Sequence, residues 1–159
     1  MNAGEKLFQR RLVRLAELGH QGPFGLGLRL SARAARTLRS PNVHASFRDW
    51  LSEQNAYVFT LNGFPYGPFH GVPVKEAVYR PDWSTPERLE YTDDLIEILA
   101  DLLPPDTRGS ISTVPGAFRF DPSARSPERV VDGLLRAAAR CLQVSRRRGL
   151  DLSIGLEPE

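Results

Sequence analysis

Apolar and polar positions along the chain follow two periods that alternate from one end to the other. Phe8, Leu12, Leu15 and Leu18 recur at helical spacing, and Gly19 supplies a C-terminal stop. Pro23-Phe-Gly-Leu-Gly-Leu-Arg-Leu30 then predicts a short strand. Ser31 can cap a helix through about Leu38, and Ser40-Pro41 opens another with the apolar face Val43, Phe47, Trp50 and Leu51. Ala56 to Leu61 is almost entirely apolar, which predicts a second strand covered on both faces. Thr85-Pro86-Glu87-Arg88 opens the next helix, with Leu89, Leu95, Ile96, Leu99, Leu102 and Leu103 along one side and Pro104-Pro105 as its end. Gly109 to Val114 predicts a third strand. Ser126-Pro127-Glu128-Arg129 opens the last helix, whose expected buried stripe is Val131, Leu134, Leu135, Ala138 and Leu142, and Gly149 stops it. Leu152 to Leu156 predicts a fourth strand.

A helix between each pair of strands is a βα repeat, so the class is α/β and the strands are expected to be parallel. Loops that follow strands are long and unusual, whereas loops that follow helices are short. A (β/α)8 TIM barrel divides its active face from its stability face in that way. Four strands do not close such a barrel, which needs about 250 residues. The expectation is one domain over residues 1–159: about four parallel strands with intervening helices, a partial (β/α)8 barrel lacking the first strand and the C-terminal strands. A small doubly wound sheet, complete in itself, is the alternative architecture.

Composition narrows the function classes. Apolar residues make up 41% and charged residues 25%, as in an ordinary globular domain. No apolar run reaches membrane-spanning length, and the amino-terminal residues lack a secretory pattern. One cysteine, Cys141, cannot form an internal disulfide, which suits a reducing, cytoplasmic setting. Its place near the last helix's stripe marks it as packing. The dense basic cluster, Arg146-Arg147-Arg148, ends a helical pattern, where cations complement the helix dipole. It is too small a footprint to predict a nucleic-acid partner. No P-loop, nucleophile elbow, dinucleotide fingerprint, CxxC pair or HExxH occurs, which excludes the common NTPases, dehydrogenases, hydrolases and zincins.

Candidate chemistry collects in the loop after the second strand, which is richer than a reversal requires. His70 could recognise a ligand, transfer a proton or ligate a metal, or it could only brace the turn. Asn62 and Tyr66 could hydrogen-bond a polyhydroxylated ligand, and Lys75 could meet a phosphate or carboxylate or simply sit beside Glu76 at the surface. Phe64, Phe69 and Trp83 could form an apolar wall or pack against neighbouring loops. Ser110, Ser112 and Thr113 face alternate sides of their strand, so not all can reach one end. Glu157 stands at the carboxyl end of the fourth strand, and with His70 it forms the candidate catalytic pair. His20 and His44, at helix boundaries, read as structural.

The run Asn62-Gly-Phe-Pro-Tyr-Gly-Pro-Phe-His70, with Val74-Lys75 and Val78-Tyr-Arg-Pro-Asp-Trp83, resembles the EboE family of metabolite-traffic proteins. Phe24 to Ser31, Gly109 to Thr113 and Leu156-Glu-Pro-Glu159 support the resemblance, which covers nearly the whole chain. The resemblance implies a xylose-isomerase-like, sugar-phosphate isomerase/epimerase-like TIM barrel that handles a small polar precursor metabolite for export, alongside other proteins of the same operon. It also implies a divalent metal ion in full-length members, with a glutamate comparable to Glu157 as a ligand. The family's Cys-Thr-Asn and His-Pro-Gly motifs, and the strands beyond Leu-Glu-Pro-Glu, have no counterpart here. A non-catalytic ligand-binding protein, or a truncated and inactive barrel fragment, is the alternative.

Overall fold

The computed structural model describes residues 17, 19, 22–67, 76–118 and 127–157. Strand β1 is Phe24–Arg29, followed by α1, Ala32–Leu38, and α2, Pro41–Glu53. Then come β2, Ala56–Asn62; a 3-10 turn, Glu76–Tyr79; α3, Pro86–Leu102; β3, Arg108–Thr113; α4, Pro127–Arg148; and β4, Asp151–Leu156. The expected amino-terminal helix carrying Phe8, Leu12, Leu15 and Leu18 lies outside the described residues. Gly19, its expected stop, has φ 83. The helix starts are those the sequence predicts. Ser31 accepts from the Ala34 amide at 3.2 Å, and Pro41, Pro86 and Pro127 occupy first-turn positions where their missing N–H costs nothing. Gly149 reverses the chain between α4 and β4 at φ 66.

The strands form one sheet in the order β1-β2-β3-β4, and all three pairings are parallel. The chain is therefore α/β, with helices alternating with parallel strands. Right-handed crossovers between adjacent, in-order strands carry every helix to the same face. Burial agrees. Val58 and Leu61 of β2 and Ile111 of β3 are fully buried beneath the helices with Leu95, Ile96, Ile98 and Leu99 of α3. Each such side chain removed from water contributes about 1.5–3 kcal/mol. Because α3 sits between α1 on one side and α4 on the other, ten of its 17 residues are buried. Among the described residues no helix is long and apolar enough to cross a membrane.

Three expectations change. Among the described residues β2 is covered by helices on one face only: Phe59 is exposed, and Thr60 and Asn62 point to the side opposite the described helices with Ser110 and Ser112. The reason is the in-order topology, which a run of apolar residues cannot reveal. Val43 of α2 is exposed, and only Leu51 of the expected face is fully buried. On α4 the buried residues are Gly133, Ala137, Cys141, Val144 and Ser145, while Val131, Leu135 and Leu142 of the expected stripe are 53%, 64% and 51% exposed. Small residues win because α4 comes so close to the loop before α3 that a Cβ on Gly133 would stand 2.1 Å from the Trp83 carbonyl oxygen. Of the expected stripe's large residues only Leu134 tucks in, beside Val130, against the cluster of Phe64, Val78, Trp83, Val114 and Ala137.

Gly133→Ala therefore forces α4 off its seat. Chemical denaturation is expected to show a loss of about 3 kcal/mol, the upper end of overpacking costs, whereas Ala138→Gly on the exposed side is expected to cost about 1 kcal/mol through propensity alone.

Candidate functional site

The helix-free face of the sheet is built from small and polar residues in register. One row runs Gly27, Thr60, Ser110, Ser153, and the next, nearer the carboxyl ends, runs Arg29, Asn62, Ser112, Gly155. The Thr60 and Ser110 hydroxyls lie 2.8 Å apart, and Ser153 donates to the Gly109 carbonyl at 3.1 Å. Toward the amino ends the face is heavier. Tyr57 and Phe59 lean over Gly25, where a Cβ would meet their rings and hydroxyl at 3.0–3.1 Å. Arg108 and Asp151 close that end as an exposed ion pair at 3.2 Å. Glu157 continues the β4 ladder, its amide donating to the Thr113 carbonyl at 3.0 Å. By strand alternation its side chain joins the face of Ser153 and Gly155. Asn62 and Glu157 thus share the carboxyl-end rim of one face, with Arg29 and Ser112 between and beside them.

The loop after β2 leaves the rim under firm control. Asn62 Oδ1 accepts from the Phe64 amide at 3.0 Å, an Asx turn, and the Gly63 amide donates to the Ser112 carbonyl at 2.8 Å. Arg88, fully buried in the first turn of α3, then holds both ends of the loop. Its Nη1 donates to the Gly63 and Phe64 carbonyls at 3.0 and 3.1 Å, and its Nε donates to Pro81 at 2.8 Å. The guanidinium carbon lies 5.9 Å from the Tyr66 ring centre and 5.7 Å from that of Tyr91. Burial pushes the Arg88 pKa down to about 10, so it stays charged at neutral pH. Burial likewise pushes Tyr91 up to about 12, and its neutral hydroxyl donates to the Leu30 carbonyl. These contacts tie the loops after β1 and β2 to α3.

The predicted site residues divide accordingly. Tyr66 packs on the helix side of the sheet, in an edge-to-face contact with Tyr91 of α3, ring centres 5.3 Å apart, and its hydroxyl accepts from Arg36 of α1 at 3.2 Å. Trp83 is 1% exposed, and its indole N–H donates to the Val114 carbonyl at 2.9 Å, so the ring packs between α4 and the β3 end. His70 and Lys75 lie outside the described residues. Among the described residues no group of three His, Cys, Asp or Glu side chains gathers, and Glu157 alone does not make a divalent-metal site. Comparison with family models, with curated proteins and with solved structures finds no match to this chain.

Sequence reasoning passed over Arg88, which it treated as part of a helix opener, and Arg29, which it counted as strand. A signal for the first was present. A cation in a helix's first turn opposes the macrodipole, so it must be held there by something stronger.

Arg88→Lys keeps the charge but loses the fork that reaches three carbonyls. Urea unfolding is expected to show a loss of about 3 kcal/mol, the cost of leaving buried hydrogen-bonding groups beside a buried charge without partners, together with faster amide exchange at Gly63, Phe64 and Tyr66.

Proposed function

We propose that this chain binds a small, polar, sugar-like metabolite at the carboxyl-end rim of a partial (β/α)8 barrel. In this reading it belongs with the isomerase/epimerase-like metabolite-traffic proteins that its loop sequence resembles. The observation that carries the reading is the rim row Arg29, Asn62, Ser112 and Gly155 with Glu157 beyond it, all on the face that no helix covers among the described residues. Parallel α/β folds place ligands at the carboxyl ends of their strands, where βα loops meet. Amide, hydroxyl and carboxylate groups spaced along such a rim match the alternating donors and acceptors of a polyol. Glycines at 27 and 155 keep the backbone open to close approach. Reversible proton transfer between neighbouring carbons of a bound sugar needs a base that can reach it, and in this reading Glu157, on the rim's face by strand alternation, serves as that base.

A second reading, binding without turnover, is favoured by one observation: among the described residues no group of three His, Cys, Asp or Glu side chains gathers that could hold a metal ion.

Calorimetric titration of the protein with a panel of aldoses, ketoses and their phosphates tests both readings. Asn62→Ala is expected to weaken the best ligand by about tenfold, the worth of one well-made hydrogen bond, while leaving the helical circular dichroism unchanged. Glu157→Gln is expected to keep binding and abolish interconversion if the chain is an isomerase, and to change neither if it only binds. Ligand affinity unmoved by both Asn62→Ala and Glu157→Ala would remove the rim from the site.

A further inference from the structure

We infer that two copies of this chain close one eight-stranded ring, each supplying half; this rests on the barrel reading proposed above. The four in-order parallel strands among the described residues are half of a (β/α)8 count. A two-fold axis running along the strands keeps strand direction, so β4 of one copy meets β1 of the other in parallel register, and the same contact recurs on the opposite side. Such a symmetric pair is closed and leaves neither sheet edge to recruit further chains.

Three independent features of the molecule ask for that partner. First, β1 and β4 end the sheet among the described residues, and parallel sheets are almost always covered on both faces rather than left half bare. Second, the helix-free face has the gradation of a ring interior. Tyr57 and Phe59 would fill the lower layer, while Gly27, Ser110, Ser112, Ser153 and Gly155 would leave room above, next to the rim. Third, α4 carries a large apolar stripe with no partner in the described chain. Val131, Leu135 and Leu142, with exposed Ala138 between them, fall at spacings of four, three and four, the seam of a helix that packs on another helix.

That stripe lies on the far side of α4 from α3. The α3-facing side of α4 carries Arg140 and Arg147, which reach Glu97 at 2.6 and 3.0 Å. On a 3.6-residue helix these positions are turned roughly 140° from the Leu135–Leu142 line. In a ring, the next helix to sit there is the one that precedes the following strand. The following strand would be the partner's β1, and the segment ahead of β1 has the apolar spacing Phe8, Leu12, Leu15 and Leu18. The occupant proposed for the α4 stripe is therefore the amino-terminal segment of the second copy.

Light scattering after size exclusion, from low micromolar to submillimolar protein, tests the ring on the full chain. The expected mass is twice 17.8 kDa. Leu135→Lys with Leu142→Lys, on one side of the contact, and Leu12→Lys, on the other, are each expected to weaken dimerisation by about 100-fold or more. The circular dichroism of the α4 double variant is expected to stay native, because its side chains face water in one copy. Amides of residues 24–29 and 151–156 are expected to exchange slowly in the dimer and at least about tenfold faster in that variant. A monomer across the whole concentration range, a dimer indifferent to these substitutions, a dimer whose strand amides stay unprotected, or open-ended association would each overturn the ring. A monomer would hand the stripe to another cover, such as the helix of a further βα unit. Sugar titration of the same samples separates the two readings: a monomer that binds sugar overturns only the ring, and a dimer that binds none overturns only the metabolite.

Discussion

The handedness of the crossover governs this molecule. Each βα connection between parallel neighbours turns to the right, and since the strands lie in sequence order every turn delivers its helix to the same side. One face of the sheet thereby becomes the core, lined by Val58, Leu61 and Ile111, and the other, which no helix covers among the described residues, carries hydroxyls, an amide, Arg29 and glycines toward the rim and Tyr57 and Phe59 below. A doubly wound sheet reverses strand order partway and covers both faces. The observed order has no such reversal among the described residues. The polar rim is a consequence of that topology, because side chains on the uncovered face need not be apolar.

Two buried charges then fix what the topology leaves loose, and they do different work. Arg88 spends its hydrogen bonds on backbone carbonyls at the start and end of the β2 loop, so it sets the shape of the rim's wall. Desolvating it costs free energy, visible in its lowered pKa; the three carbonyl bonds and two flanking tyrosine rings offset that cost. Glu97 is only 10% exposed on its side chain and is met by Arg140, Arg147 and Arg148, which locks α4 to α3 at the end away from the rim. The arginine run that the sequence displays so openly is thus largely committed within the chain. Paired buried charges of this kind choose one arrangement over its neighbours more than they add stability.

The order and type of elements were readable from the chain because the helix signals are local: Pro at 41, 86 and 127, Ser31 as a cap, and Gly149 as a stop. Parallel pairing followed from the alternation of elements. What failed were judgements about faces. The stripe through Leu135 and Leu142 looked buried because large apolar residues at helical spacing usually are, yet α4 seats itself through Gly133, Ala137 and Cys141, and close approach outweighs side-chain size. The apolar run of β2 looked doubly covered because composition cannot say which strand order the sheet adopts. Of the candidate site residues, Asn62 was chosen as a hydrogen-bonding group at the start of the rich loop and Glu157 from its place at a strand end; strand register sets both on the same face. Tyr66 was chosen as a hydrogen-bonding group and Trp83 as an apolar wall; Tyr66 packs against Tyr91 and Arg88 on the helix side, and the Trp83 ring serves the packing of α4. Arg88 was missed because its partners are carbonyls distant in sequence, which no residue pattern records.

The one-sided, in-order sheet is tested most directly by interstrand nuclear Overhauser contacts in solution. The account predicts amide–Hα contacts of the parallel type linking Thr60 with Ser110 and Ser110 with Ser153. It also predicts methyl contacts from Leu61 and Ile111, but none from Ser110 or Ser153, to the Leu95 and Leu99 side chains of α3. Facing Hα–Hα contacts between any two of these strands, or α3 methyls touching the serine face, would contradict it.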